Sequence, residues 1–198
     1  IVTAAHCWFD GRFQAVRFTV VLGSQFLFHG GVRMQASAIA VHPRYDFRTF
    51  ANDIAMLYLP NRVQFSESIQ PIALPHGSLL NADYTGRWMT AAGYGRYSDL
   101  TTPSTDTMAR NVFLEAISLN RCRNYYGNLV LDSNVCTNGI GGVGICQGDS
   151  GGPLTLNYMG QDVVVGVSSF VARDGCELGF PSAFARVSSY IDWIRVQL

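Results

Sequence analysis

The string Gly148-Asp149-Ser150-Gly151-Gly152-Pro153-Leu154 sets a hydroxyl among glycines. A serine hydroxyl is a poor nucleophile until a base takes its proton. Acyl transfer also needs backbone N–H groups aimed at the oxygen that becomes negative. Flanking glycines permit the sharp turn and the close approach of substrate that this chemistry requires. A glycine-rich string can equally be a plain turn, so the candidate partners carry the decision. His6, in Thr3-Ala4-Ala5-His6-Cys7, is the right type for the base, although a lone histidine in an apolar run is more often a satisfied core residue. Asp53 heads the apolar run Ile54-Ala55-Met56-Leu57. An acid there is either exposed at a strand start or, if buried, must be paired. A nucleophile, a base and an acid that orients the base make up the set for covalent acyl transfer.

The elements that must position these residues read as strands. Phe18–Leu22, Ser37–Val41, Ile54–Leu59, Trp88–Ala92, Val112–Leu114 and Val163–Phe170 are short β-like runs, each bounded by Gly, Pro, Asn or Ser. With no helices between them they predict an antiparallel sandwich or barrel. Two helices are expected. One is a short candidate from Ile117 to Tyr126, around Cys122. The other is C-terminal, with Ser188 or Ser189 as cap and Ile191, Ile194 and Leu198 on one face. Ser98–Thr107 reads as an exposed polar loop and Gln70–Pro75 as a connector between two halves.

Composition narrows the function class. The 198 residues suffice for one large domain or two small ones, and 48% are hydrophobic. The formal net charge is zero, with no basic stripe to suit nucleic acid. No apolar run reaches membrane-spanning length. The cysteines are Cys7, Cys122, Cys136, Cys146 and Cys176, with no CxxC pair, which argues against a structural zinc site. Their odd number leaves a free thiol, an intermolecular bridge or a missing partner open, and spacing alone does not fix the pairing.

The order His6, Asp53, Ser150 is the chymotrypsin order, distinct from that of subtilisins and α/β-hydrolases. Together with the Ser150 string, Gly93-Tyr94-Gly95, Ser169-Phe170-Val171 and Arg186-Val187 through Ile191-Asp192-Trp193-Ile194, it makes the chain resemble the chymotrypsin-like (trypsin-fold) serine proteases over essentially its full length. The resemblance implies an all-β fold of two packed six-stranded antiparallel barrels with a C-terminal helix. On this chain that gives a single peptidase domain over 1–198. A partial first barrel would span 1–66, a connection 67–83, a second barrel 84–187 and the helix 188–198. It implies that Ser150 attacks the scissile carbonyl, that His6 shuttles its proton and that Asp53 orients His6. The N–H groups of Gly148 and Ser150 would form the oxyanion hole, and Ser169 would bond Asp53. It further implies Cys122–Cys136 and Cys146–Cys176 disulfides, with Cys7 paired to an upstream cysteine outside this sequence.

For specificity, the resemblance places Gly144 at the pocket base, where a trypsin-type enzyme needs an acid. It puts Ser182 where some collagenolytic relatives carry one, and Val171 where open pockets have glycine. Gln147, Ser169 and Phe170 complete the implied substrate-binding set. The expectation is an elastase- or chymotrypsin-like preference for apolar side chains. No Asp or Glu occurs from Gly11 to Tyr45, which disfavours calcium in that region, and no cofactor is expected. Ala73, where relatives tethered to a pro-domain carry cysteine, suits a monomeric, secreted, digestive enzyme. Its partners would be protein substrates and protein inhibitors, and neither nucleic acid nor membrane. The family's activating ion pair would form on Asp149. Ile1 precedes Thr3-Ala4-Ala5-His6 too closely to supply the ammonium, so residues 1–198 are read as N-terminally truncated and inactive alone. The rival reading is a non-catalytic homologue serving as a binding or regulatory module. Such proteins usually lose a triad residue, and all three are intact here.

Overall fold

A computed structural model describes residues 1–198. Five short strands come first: β1 (Val2–Thr3), β2 (Thr19–Leu22), β3 (Val32–Gln35), β4 (Ala38–Val41) and β5 (Ala55–Tyr58). They form two separate antiparallel sheets, β1-β5-β4 and β2-β3. The later strands are β6 (Trp88–Gly93), β7 (Arg110–Ile117), β8 (Asn134–Thr137), β9 (Pro153–Tyr158), β10 (Gln161–Phe170) and β11 (Ser182–Arg186). These close into a six-stranded barrel in the order β10-β11-β8-β7-β6-β9. The connector is stitched to that barrel, since Val164 N–H donates to the Ala73 carbonyl at 3.0 Å.

Two larger cores follow from the two-residue side-chain period of strands, and a smaller third one gathers around Cys122 and Cys136. Met89, Leu114, Leu154, Val163, Val165 and Phe184 fill the barrel. Ala4, Ile54 and Met56 from the first half pack with Val164, Val167, Ala185, Val187 and Ile194 from the second. β10 supplies both, and a bulge decides which residue faces where. Val164 pairs with Thr155 but Gly166 pairs with Leu154, so two residues oppose one. The bulge reverses the parity of the strand. Val163 and Val165 face the barrel interior, whereas Val167 faces the first half. Gly166 is required there, because a Cβ would lie 3.0 Å from that of Phe184 and 3.1 Å from that of Leu154.

Two helix expectations are corrected. Ile117 ends β7, and helix α1 spans Leu119–Tyr126, with Ser118 Oγ as cap accepting from Arg121 N–H at 3.3 Å. At the C-terminus, Val187–Tyr190 is a 3-10 turn, and helix α2 runs Ile191–Val196 from Tyr190 with no side-chain cap. Ser188 and Ser189 therefore lie inside the preceding turn, and Ser188 Oγ accepts from Arg186 Nε instead. Disulfides join Cys122 to Cys136 and Cys146 to Cys176, while Cys7 is a free thiol. No helix is long and apolar enough to cross a membrane.

Candidate active site

His6 sits on a 3-10 turn, Ala5–Cys7, that follows β1, and the neighbouring Ala4 and Ala5 are fully buried. Asp53 lies just before β5 and is 1% exposed. Its carboxylate is satisfied from both halves of the molecule. His6 donates its backbone N–H at 2.8 Å and its ring Nδ1 lies 2.7 Å away, while Ser169 Oγ donates from β10 at 2.5 Å. A buried carboxylate that keeps its charge must be hydrogen-bonded in this way. The pairing makes Nδ1 the protonated nitrogen of neutral His6 and leaves Nε2 a free base. Ser169 lies within a second register shift of β10, between Ser168 and Phe170.

Ser150 is exposed, on a turn held by its neighbours. Gly151 N–H donates to the Ser168 carbonyl at 2.9 Å and Gly152 N–H to the Asp149 carbonyl at 2.9 Å. Gly148 and Gly151 have φ of +98° and +76°, a region costly for any side chain. Neither Gly148 N–H nor Ser150 N–H bonds within the chain. Ser150 and His6 line one cleft of about 330 Å³ together with Gln147, Ser169, Phe170 and Val171. Phe50, Asp10 and Ile145 also line it, and sequence reasoning missed them. Phe50 meets His6 edge-on at 5.8 Å between centroids and lies 5.7 Å from Phe170. Its φ of +55° is rare for an aromatic residue, and no composition cue announces it.

Gly144 and Ser182 come together elsewhere. A Cβ on Gly144 would lie 2.6 Å from Ser182 Oγ, which accepts from Ile145 N–H at 3.1 Å. Neither lines the cleft that holds His6 and Ser150. Gly144 lines an adjoining cavity of about 280 Å³ with Asp149, and Ile145 borders both.

The Asp149 carboxylate accepts from Gly95 N–H at 2.8 Å and Cys146 N–H at 2.9 Å, with no cation beside it. Burial raises its pKa above the ordinary carboxylate range, and those two N–H groups offset part of the rise. The backbone nitrogen of Ile1 donates to the Leu57 carbonyl at 2.8 Å, beside the β1–β5 pairing. Asp149 also explains the Gly93-Tyr94-Gly95 string, since a Cβ at Gly95 would lie 2.6 Å from its carboxylate and one at Gly93 would collide with it. Tyr94 reaches back to the first half, donating from its hydroxyl to the Ser24 carbonyl at 2.6 Å. Cys7 packs beneath the Ser150 turn, where burial above all, then the nearby Asp53 charge, pushes its thiol up to about 11. It is a poor nucleophile there.

The Trypsin family model matches residues 1–194. The chain is 36% identical to a collagenase of Hypoderma lineatum, covering 98% of this chain and 71% of that protein. It is 37% identical to a brachyurin of Leptuca pugilator, covering 100% and 82%. The solved structure of HL collagenase superposes with a TM-score of 0.87 at 34% identity, covering 100% of this chain and 81% of the other.

Proposed function

Since the chain belongs to the trypsin-fold family of serine proteases and is a serine endopeptidase by descent, we propose that it cleaves peptide bonds with His6, Asp53 and Ser150 as its triad, after small to medium apolar residues. The observation that carries the reading is the Asp53 carboxylate, 1% exposed and bonded twice by His6 and once by Ser169. That pairing sets His6 Nε2 free to take the Ser150 proton and return it to the leaving amine. The exposed Ser150 hydroxyl then attacks the carbonyl. The unpartnered N–H groups of Gly148 and Ser150 are the donors for the oxyanion. Asp53 stays ionised and stabilises the imidazolium.

Specificity rests on what lines the cleft. Val171 and Phe170 are apolar walls, Asp10 is the one acid on the lining, and Gly144 and Ser182, which lie outside this cleft, carry none. Val171 narrows the wall by two methyl groups relative to glycine, which favours Ala, Val and Leu over Phe or Trp. Apolar pockets discriminate by only about 1–3 kcal/mol per methylene, so the preference is graded. Two disulfides suit an oxidising, secreted setting. We place the protein there as a monomer acting on protein substrates and checked by protein inhibitors.

The test is active-site labelling with a fluorophosphonate, alongside hydrolysis of peptides bearing Ala, Val, Leu, Phe or Arg before the cleaved bond. The active protein should label at Ser150, lose both label and hydrolysis as Ser150→Ala, and cut the Arg peptide slowest. Near-normal hydrolysis by Ser150→Ala would sink the triad. A preference for Arg would sink the pocket reading.

A further inference from the structure

Two irregular segments meet beside the cleft. The first follows β6 and carries Ser98-Asp99-Leu100, with Leu100 94% exposed at its tip. The second joins β10 to β11 across 171–181 and takes no part in the barrel ladder. It edges the cleft at both of its attachments. It leaves directly from Ser169 and Phe170, and Cys176 is bonded to Cys146, a cleft residue.

Carboxylates fasten the two segments reciprocally. Asp99 accepts from Cys176 N–H at 2.7 Å through one oxygen and from Glu177 N–H at 3.2 Å through the other. Glu177 accepts in return from Asp99 N–H at 2.6 Å. The backbone of the second segment is shaped to receive Asp99. Gly175 is buried at a φ of +149°, and a Cβ there would lie 2.6 Å from the Asp99 carboxylate. Without strand pairing, the disulfide alone pins Cys176 by its side chain and leaves the peptide planes around it free to rotate. The carboxylate fixes those planes.

We propose that Asp99 is a positioning residue for substrate binding: by holding the amides of Cys176 and Glu177 it sets the loop that borders Phe170, Val171 and the Cys146–Cys176 bridge, and hence the width of the specificity cleft. The inference rests on the protease reading of that cleft. Asp99 touches none of His6, Asp53 or Ser150, so its removal acts on the binding of substrate. The bonds that orient His6 come from Asp53, which lies just before β5, and stay in place.

The experiment compares the active protein with Asp99→Ala and the near-isosteric Asp99→Asn, which keeps one acceptor oxygen. Three quantities are read: KM and kcat on the preferred apolar peptide, the rate of fluorophosphonate labelling, and amide exchange across 172–179. Losing a charged acceptor of two N–H groups should raise KM about tenfold in Asp99→Ala and about threefold in Asp99→Asn. In both, kcat and labelling should stay near wild type while exchange in 172–179 speeds up. Unchanged exchange, or a loss confined to kcat with KM intact, overturns the proposal. If the wild type neither labels nor hydrolyses while exchange still rises in Asp99→Ala, the protease reading falls and the fixing of the loop stands.

Discussion

The half that supplies the base and the half that supplies the nucleophile are built to different standards. Ser150 and Ser169 belong to a closed barrel carrying both disulfides. His6 and Asp53 lie beside β1 and β5 of a three-stranded sheet. What holds the first half in register is contact across the boundary: the Asp53–Ser169 bond, the Tyr94–Ser24 bond, and Ala4, Ile54 and Met56 in the shared core. The geometry of the candidate triad therefore depends on the interface between the halves.

Cutting the polar link at its centre has the largest expected effect. Asp53→Asn replaces an acceptor of three donors with a group whose amide nitrogen cannot accept, so His6 turns to the wrong tautomer. In the family's best-studied triad the same exchange lowers kcat about 10⁴-fold, and steady-state kinetics on the active protein should find a loss of that order with the fold retained. Cutting the apolar link comes next. Ile54→Ala, at a fully buried position in the shared core, should destabilise by about 2–5 kcal/mol. The matched Leu154→Ala lies inside the barrel. Amide exchange should show the first change opening residues 1–58 ahead of the barrel and the second opening both together. Equal behaviour of the two would erase the distinction drawn here.

On the barrel side alone the effects shrink. Val171→Gly should improve cleavage after Phe and Tyr relative to Val by about tenfold, within the range of one or two methylenes, and leave exchange in residues 1–58 untouched. The smallest effect concerns pH. The raised pKa of Asp149 means that the folded chain holds this proton at a higher pH than the unfolded chain does. Stability from this group is thus fullest below the ordinary carboxylate range and is lost as pH rises through the raised folded value. Asp149→Asn removes that dependence, so its thermal midpoint should gain on the wild type as pH climbs. A gap that stays constant with pH would show that Asp149 is not the titrating group.

Residues that announce chemistry through type and spacing were legible from sequence, and so were strands with uninterrupted apolar runs, such as Val163–Phe170. Strands whose residues answer to the barrel interior were not. Ser182–Arg186 alternates small residues around one buried Phe184, and Asn134–Thr137 contains polar groups that only pairing can satisfy, so neither looks like a strand in isolation. β9 opens on Pro153, tolerated because a first strand residue owes no ladder bond. The two register shifts of β10 left no mark beyond Gly166, and Phe50 entered the cleft through a backbone angle that its side chain does not advertise. The Ser188 or Ser189 cap failed because the chain tightens into a 3-10 turn before α2 begins, and serine chemistry suits either geometry.

The placement of the disulfides also decides what a single cut in the backbone would do. Both bridges lie beyond residue 121, closing the stretches Cys122–Cys136 and Cys146–Cys176. A nick inside either stretch, for example at Arg173 in the loop that borders the cleft, leaves the two pieces covalently tethered, and only a reducing gel would separate them. A nick at the exposed tip near Leu100 falls outside both, so the fragment bearing His6 and Asp53 stays with the fragment bearing Ser150 through noncovalent contacts, the Asp53–Ser169 bond among them. The same molecule is thus tolerant of scission around its nucleophile and vulnerable to it between its halves.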